Sequence, residues 1–111
     1  MWLGDSLDRL QSFPADVRQR IGFALYQAQI GDKHESAKPL HGFDGPVWQI
    51  RADDSSGTYR AVYVLQRRSA IYVLHAFQKK ARAGITTSQR DIEMIRQRLK
   101  LASRVAGKKG D

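Results

Sequence analysis

Two runs of residues constrain this chain more than any others: Thr58-Tyr-Arg-Ala-Val-Tyr-Val-Leu65 and Ala70-Ile-Tyr-Val-Leu-His-Ala-Phe-Gln-Lys-Lys80. Both are rich in β-branched and aromatic residues, and Gln66-Arg-Arg-Ser69 between them is a turn by composition. They read as neighbouring strands of one sheet. Strict alternation puts Arg60 on one face of the first strand with Val62 and Val64, and Tyr59, Ala61, Tyr63 and Leu65 on the other. On the second strand it puts His75 with Ile71, Val73 and Phe77. A charge inside a strand is costly unless it faces water or an anion. The cations Arg60, His75, Lys79 and Lys80 therefore suggest a polyanion site. An edge arginine and a solvated strand end satisfy the same spacing, so the pattern alone leaves both open.

The charge distribution favours an acidic partner. The chain has 111 residues and a net charge of +8. Residues 1–57 carry 6 Lys/Arg against 8 Asp/Glu, whereas residues 58–111 carry 13 against 3. The basic half is the half with the two strands, which points to nucleic acid or another polyanion. A hydrophobic content of 41% is too high for a disordered chain, and its apolar runs are strand-sized, too short to span a membrane. The first residues, Met1-Trp-Leu-Gly-Asp, lack the basic and apolar regions of a signal peptide, so a cytoplasmic protein is expected. There is no cysteine, and His34, His41 and His75 have no metal-ligand spacing, so neither disulfides nor a metal centre is expected.

Along the chain, Leu7, Leu10 and Phe13 mark a short helix from Ser6 to Ser12. Pro14 fits the first position of a second helix, with Asp16 in its first turn and an apolar stripe through Val17, Ile21, Ala24, Leu25 and Ala28. Gly31 is placed to end it. Asp32 to Gly45 reads as loop. Val47-Trp-Gln-Ile-Arg51 reads as a short strand and Asp53-Asp-Ser-Ser-Gly57 as a turn. Thr86-Thr-Ser-Gln89 matches a capping box, followed by a stripe of Ile92, Ile95, Leu99 and Ala102 to about Val105. The expected fold is α+β: a small antiparallel sheet, a three-strand meander over 47–51, 58–65 and 70–77, packed with an N-terminal helical hairpin and a C-terminal helix. There is room for a short extra N-terminal strand. One domain should cover 1–105, with 106–111 a disordered basic tail.

No phosphate-binding glycine loop is present, no Ser or Cys nucleophile has a convincing His partner, and the carboxylates lie mostly in the first half and in turns. Metal-free chemistry by cations remains. RNA permits it, because its own 2′-OH can attack the adjacent phosphate once a proton is removed and the developing charge is neutralised.

The order helix–helix–three strands–helix resembles the RelE/ParE toxin superfamily. The HigB-like branch is matched by Lys38-Pro-Leu-x-Gly-Phe43, Trp48-Gln-Ile-Arg51, Thr58-Tyr-Arg-Ala-Val-Tyr63, Tyr72-Val-Leu-His-Ala-Phe-Gln-Lys-Lys80 and Arg90-Asp-Ile-Glu-Met-Ile-Arg-Gln-Arg-Leu99. The resemblance implies a type II toxin that cleaves mRNA on the ribosome without a cofactor, and a cognate antitoxin, usually a helix-turn-helix protein of HigA type. Arg60 matches the family's strand arginine, and Lys79 and Lys80 match its basic pair. Arg60, Lys79, Lys80 and His75 are the catalytic candidates, and Arg51, Arg67, Arg68, Phe77 and Arg82 the RNA-binding ones. RelE relies partly on a tyrosine near its C-terminus, and no tyrosine follows Phe77 here. ParE relatives poison DNA gyrase instead, and fold alone does not separate the two activities.

Overall fold

The computed structural model of the chain describes residues 1–65, 70–79 and 87–108, with side chains as far as 105. Helices α1 (Ser6–Gln11) and α2 (Ala15–Gln29) precede strands β1 (Ala37–Pro39), β2 (Trp48–Asp54), β3 (Gly57–Leu65) and β4 (Ile71–Lys79), and α3 (Gln89–Lys108) follows. The four strands form one antiparallel sheet in the order β1-β2-β3-β4. This is the α+β architecture expected from the pattern, with one strand more than the meander.

The additional strand, β1, lies inside the stretch read as loop. Three residues, one of them Pro39, carry too little pattern to be seen in isolation. Their pairing with Trp48, Gln49 and Ile50 of β2 makes them a strand. At the N-terminus Trp2 forms a single parallel bridge to Val73, with Leu3 N–H donating to Val73 O and Val73 N–H to Met1 O.

Helix α2 follows its stripe, for Val17, Ile21, Ala24, Leu25 and Ala28 are all buried. Pro14 stands one position earlier than expected, as the N-cap, with its carbonyl accepting from Arg18 N–H. Gly31, at φ +87°, closes the helix. Its N–H donates to Ala28 O and that of Asp32 to Gln27 O, the two bonds of a Schellman motif. At α3 the cap is two residues later than the expected Thr86, which lies outside the described residues. Asp91 N–H donates to Ser88 Oγ, and Ser88 Oγ donates to Asp91 Oδ2 at 2.7 Å. The helix runs to Lys108, three residues past Val105, and 109–111 lie outside the described residues.

The sheet is buried on both faces. One face meets α2 through Tyr59, Ala61, Tyr63, Ile71, Val73 and Ala76. The other meets α3 through Val62, Val64, Tyr72, Leu74 and Phe77, with Ile95 and Ala102.

Strict alternation fails on β4. Tyr63 pairs with Val73 but Val62 pairs with His75, so Leu74 is an extra residue, a β-bulge. Ile71 and Val73 therefore stay on the α2 side, while His75 and Phe77 turn to the α3 side. The expectation that His75 shares a face with Ile71 and Val73 is corrected. It shares one with Phe77 and, across the sheet, with Val62.

Candidate functional site

The bulge sets the register of three cross-sheet rows on the α3 face: Gln49–Val62–His75, Arg51–Arg60–Phe77 and Asp53–Thr58–Lys79. A strand pair places directly opposed side chains about 5 Å apart at their Cβ atoms. Arg51, Arg60 and Lys79 thus cluster because of strand pairing, although 28 positions separate the first from the last.

Arg60 is buried, 7% exposed. Its Nη1 donates to Gln49 Oε1 at 3.0 Å, and its buried Nε has no hydrogen-bond partner among the described residues. Burial pushes its pKa down, the Arg51 charge adds to this, and Asp53 opposes it. A guanidinium remains protonated through such a shift. Arg60 lines a cavity of about 380 Å³ with Leu40, His41, Gly42 and Phe43 of the β1–β2 loop, Gln49, Thr87 just before α3, and Ile92 and Arg96 in the first half of that helix.

Lys79 is half-buried at the end of β4. Desolvation lowers its pKa, and the positive charges of Arg60 and Arg51 lower it further. Arg51 is exposed and its Nε donates to Asp53 Oδ1 at 3.2 Å. That bond is the main reason the Asp53 carboxyl stays below its usual range.

His75 is 1% exposed. Its Nε2 lies 2.7 Å from Asp91 Oδ1, and its Nδ1 lies 3.3 Å from Arg98 Nη1. A guanidinium only donates, so Nδ1 accepts and Nε2–H donates to Asp91, which assigns the neutral tautomer. Burial lowers the His75 pKa more than Asp91 raises it. The ring stacks on Phe77 with centroids 4.9 Å apart, and Phe77 is itself buried. Arg98 also donates to Leu74 O at 3.0 Å and to Asp5 Oδ1 at 2.8 Å. His75 and Arg98 therefore tie β4, α3 and the start of α1 together.

The expected site residues fall into three groups. Arg51, Arg60 and Lys79 form the cationic cluster. His75 and Phe77 lie on the same face but are enclosed. Lys80, Arg67, Arg68 and Arg82 lie outside the described residues. Sequence reasoning missed Gln49, Asp91 and Arg98. Gln49 stands two residues before Arg51, a period-2 position that would have put it on the same face. Asp91 and Arg98 join His75 only through tertiary packing, and no local signal marks them.

The model of the phage-derived protein Gp49-like family (DUF891) matches residues 8–100, from α1 well into α3. The chain belongs to the Gp49-like family. That is a RelE/ParE-like toxin family of toxin–antitoxin systems, and membership implies a cognate antitoxin. No match was found among curated proteins. Among its described residues, this Gp49-like protein has no helix long and apolar enough to cross a membrane.

Proposed function

We propose that this Gp49-like toxin is a HigB-like, ribosome-dependent mRNA endonuclease that works without a metal. The observation that carries the reading is Arg60, a buried guanidinium that lines a cavity and whose Nε has no hydrogen-bond partner among the described residues. A charged donor held there suits an anion that arrives with the substrate, and RNA supplies a phosphate. Arg60 binds the scissile phosphate and stabilises the charge that grows as the 2′-OH attacks it. Lys79 or its neighbour Lys80 transfers the proton, taking it from the 2′-OH or giving it to the 5′ leaving oxygen. The lowered pKa of Lys79 favours such transfer, because it narrows the gap between a lysine and neutral pH. Arg51 holds a flanking phosphate, as do Arg67, Arg68 and Arg82. His75, with both ring nitrogens occupied, is a positioning residue that fixes β4 against α3.

Arg60→Ala should reduce cleavage of ribosome-bound mRNA by about a hundredfold or more, the usual cost of losing one charge-stabilising donor. The variant should keep the wild-type circular dichroism spectrum. Near wild-type cleavage by a folded Arg60→Ala protein would end this reading. Intact mRNA accompanied by gyrase-linked DNA breaks would instead place the protein with the ParE-type inhibitors. The antitoxin is expected to be a helix-turn-helix protein of HigA type, encoded beside the toxin, whose co-expression restores growth.

A further inference from the structure

We propose that the cavity beside Arg60 is a nucleotide pocket. It takes one nucleobase between Leu40, Phe43 and Ile92 while Arg60 holds the phosphate of the same nucleotide. This rests on the reading of Arg60 as a phosphate ligand and adds a base-binding subsite to it.

Three observations carry the inference. The first is the composition of the walls. Leu40, Phe43 and Ile92 supply an apolar lining, while Arg60, Arg96, His41, Gln49 and Thr87 supply polar groups. An inorganic anion has no use for the apolar side, and an apolar ligand would leave Arg60 unanswered. A ligand with a flat, largely apolar ring and an attached phosphate satisfies both. The second is size: about 380 Å³ lies within the roughly 300–1,000 Å³ typical of small-molecule sites.

The third is preorganisation. Arg60 occupies the Oε1 of Gln49, which fixes the orientation of that amide and leaves its NH2 group to donate to a base carbonyl or ring nitrogen. The Arg96 guanidinium lies over the Phe43 ring, 5.7 Å from its centroid. A flat base that displaces the half-exposed Arg96 guanidinium can stack on this ring in its place. The loop bearing Phe43 turns through Gly42 at φ +98° and is pinned by Leu40 N–H donating to Val47 O at 2.8 Å. A side chain at position 42 would be strained in that conformation.

The test titrates the full chain with adenosine, guanosine, cytidine and uridine 3′-monophosphates and, separately, with inorganic phosphate. Calorimetry reads affinity and amide chemical shifts read location. At least one nucleotide should bind about tenfold or more tighter than phosphate, with shifts at Leu40–Phe43, Gln49 and Ile92. Phe43→Ala should reduce that advantage to nearly nothing and leave phosphate affinity in place. Phe43→Leu, which keeps apolar bulk for folding but removes the ring, should show most of the same loss. Equal affinity for phosphate and all four nucleotides would overturn the pocket, as would shifts elsewhere or an unaltered Phe43→Leu protein.

Cleavage of ribosome-bound mRNA, read on the same proteins, separates the two readings. Arg60-dependent cleavage without nucleotide preference would remove the pocket alone. A Phe43-dependent nucleotide site in a protein that cleaves nothing would remove the endonuclease alone.

Discussion

At the scale of single residues, Arg60 and His75 are buried polar groups on one face with opposite circumstances. His75 has a partner for each ring nitrogen, whereas the Nε of Arg60 has none among the described residues. Arg60→Lys is therefore expected to recover little of the cleavage lost in Arg60→Ala, because an ammonium lacks the planar fork that can grip two phosphate oxygens. Single-turnover cleavage of ribosome-bound mRNA measures this. His75→Gln should be milder than either, since it alters support and not contact with RNA.

Gly4 is a less obvious dependency. It has φ +55°, and a Cβ there would meet the Arg98 guanidinium at about 2.5 Å. Gly4→Ala should cost about 1–2 kcal/mol from backbone strain, read as a lower urea midpoint. It should also disturb Arg98, which holds both His75 and Asp5.

At the scale of elements, α2 is apolar on two opposite sides. Ile21, Val17 and Ala24 enter the core. Phe23, Tyr26 and Ile30 lie outside, each more than half exposed. Ile21→Ala should cost about 2–5 kcal/mol because it opens a cavity. Phe23→Ser and Tyr26→Ser should stay within about 0.5 kcal/mol of wild type, because surface substitutions remove little packing. Denaturant titration of the isolated chain tests both. On β4 the bulge at Leu74 decides which side chains share a face with Arg60. Val73 and His75 would share a face in a regular strand. With Leu74 inserted, Val73 serves the α2 core, while His75, Phe77 and Lys79 join Arg60.

At the scale of the molecule, charge governs behaviour. Binding to ribosomes or RNA should weaken steeply with added salt, because each phosphate contact releases condensed counterions. An association indifferent to salt would argue against a phosphate-binding face. Stability should fall on acidification in two stages. The folded pKa of His75 lies below the unfolded 6.5. Its contribution is therefore complete above pH 6.5 and declines as the pH falls towards the folded value, because the unfolded chain takes up the proton first. Asp5 is held at about 2, chiefly by Arg9 and also by Arg98, against 3.8 when unperturbed. Its contribution is present above pH 3.8 and is lost as the pH falls to about 2. Unfolding free energies of His75→Gln across pH 7 to 5 should be flatter than those of wild type, with the lower stage retained.

The sequence by itself determined the elements with long, regular patterns. The stripe of α2 and the β-branched run of β3 each carry many apolar residues at one period, and burying those residues leaves few alternative conformations. Arg60 was legible as a candidate because a charge in such a run is conspicuous. The cap of α3 was displaced because Thr86 and Ser88 are both competent caps, and the choice belonged to Asp91, which reaches back to Ser88. The tertiary structure alone decided the rest. Whether Ala37–Pro39 is a strand depends on β2 arriving beside it. The bulge at Leu74 arises from pairing β4 to β3, a competition between two faces that both need filling. Asp91 and Arg98 lie 16 and 23 positions beyond His75. Their meeting is a consequence of packing α3 on the sheet, and local periodicity holds no information about contacts made across that distance.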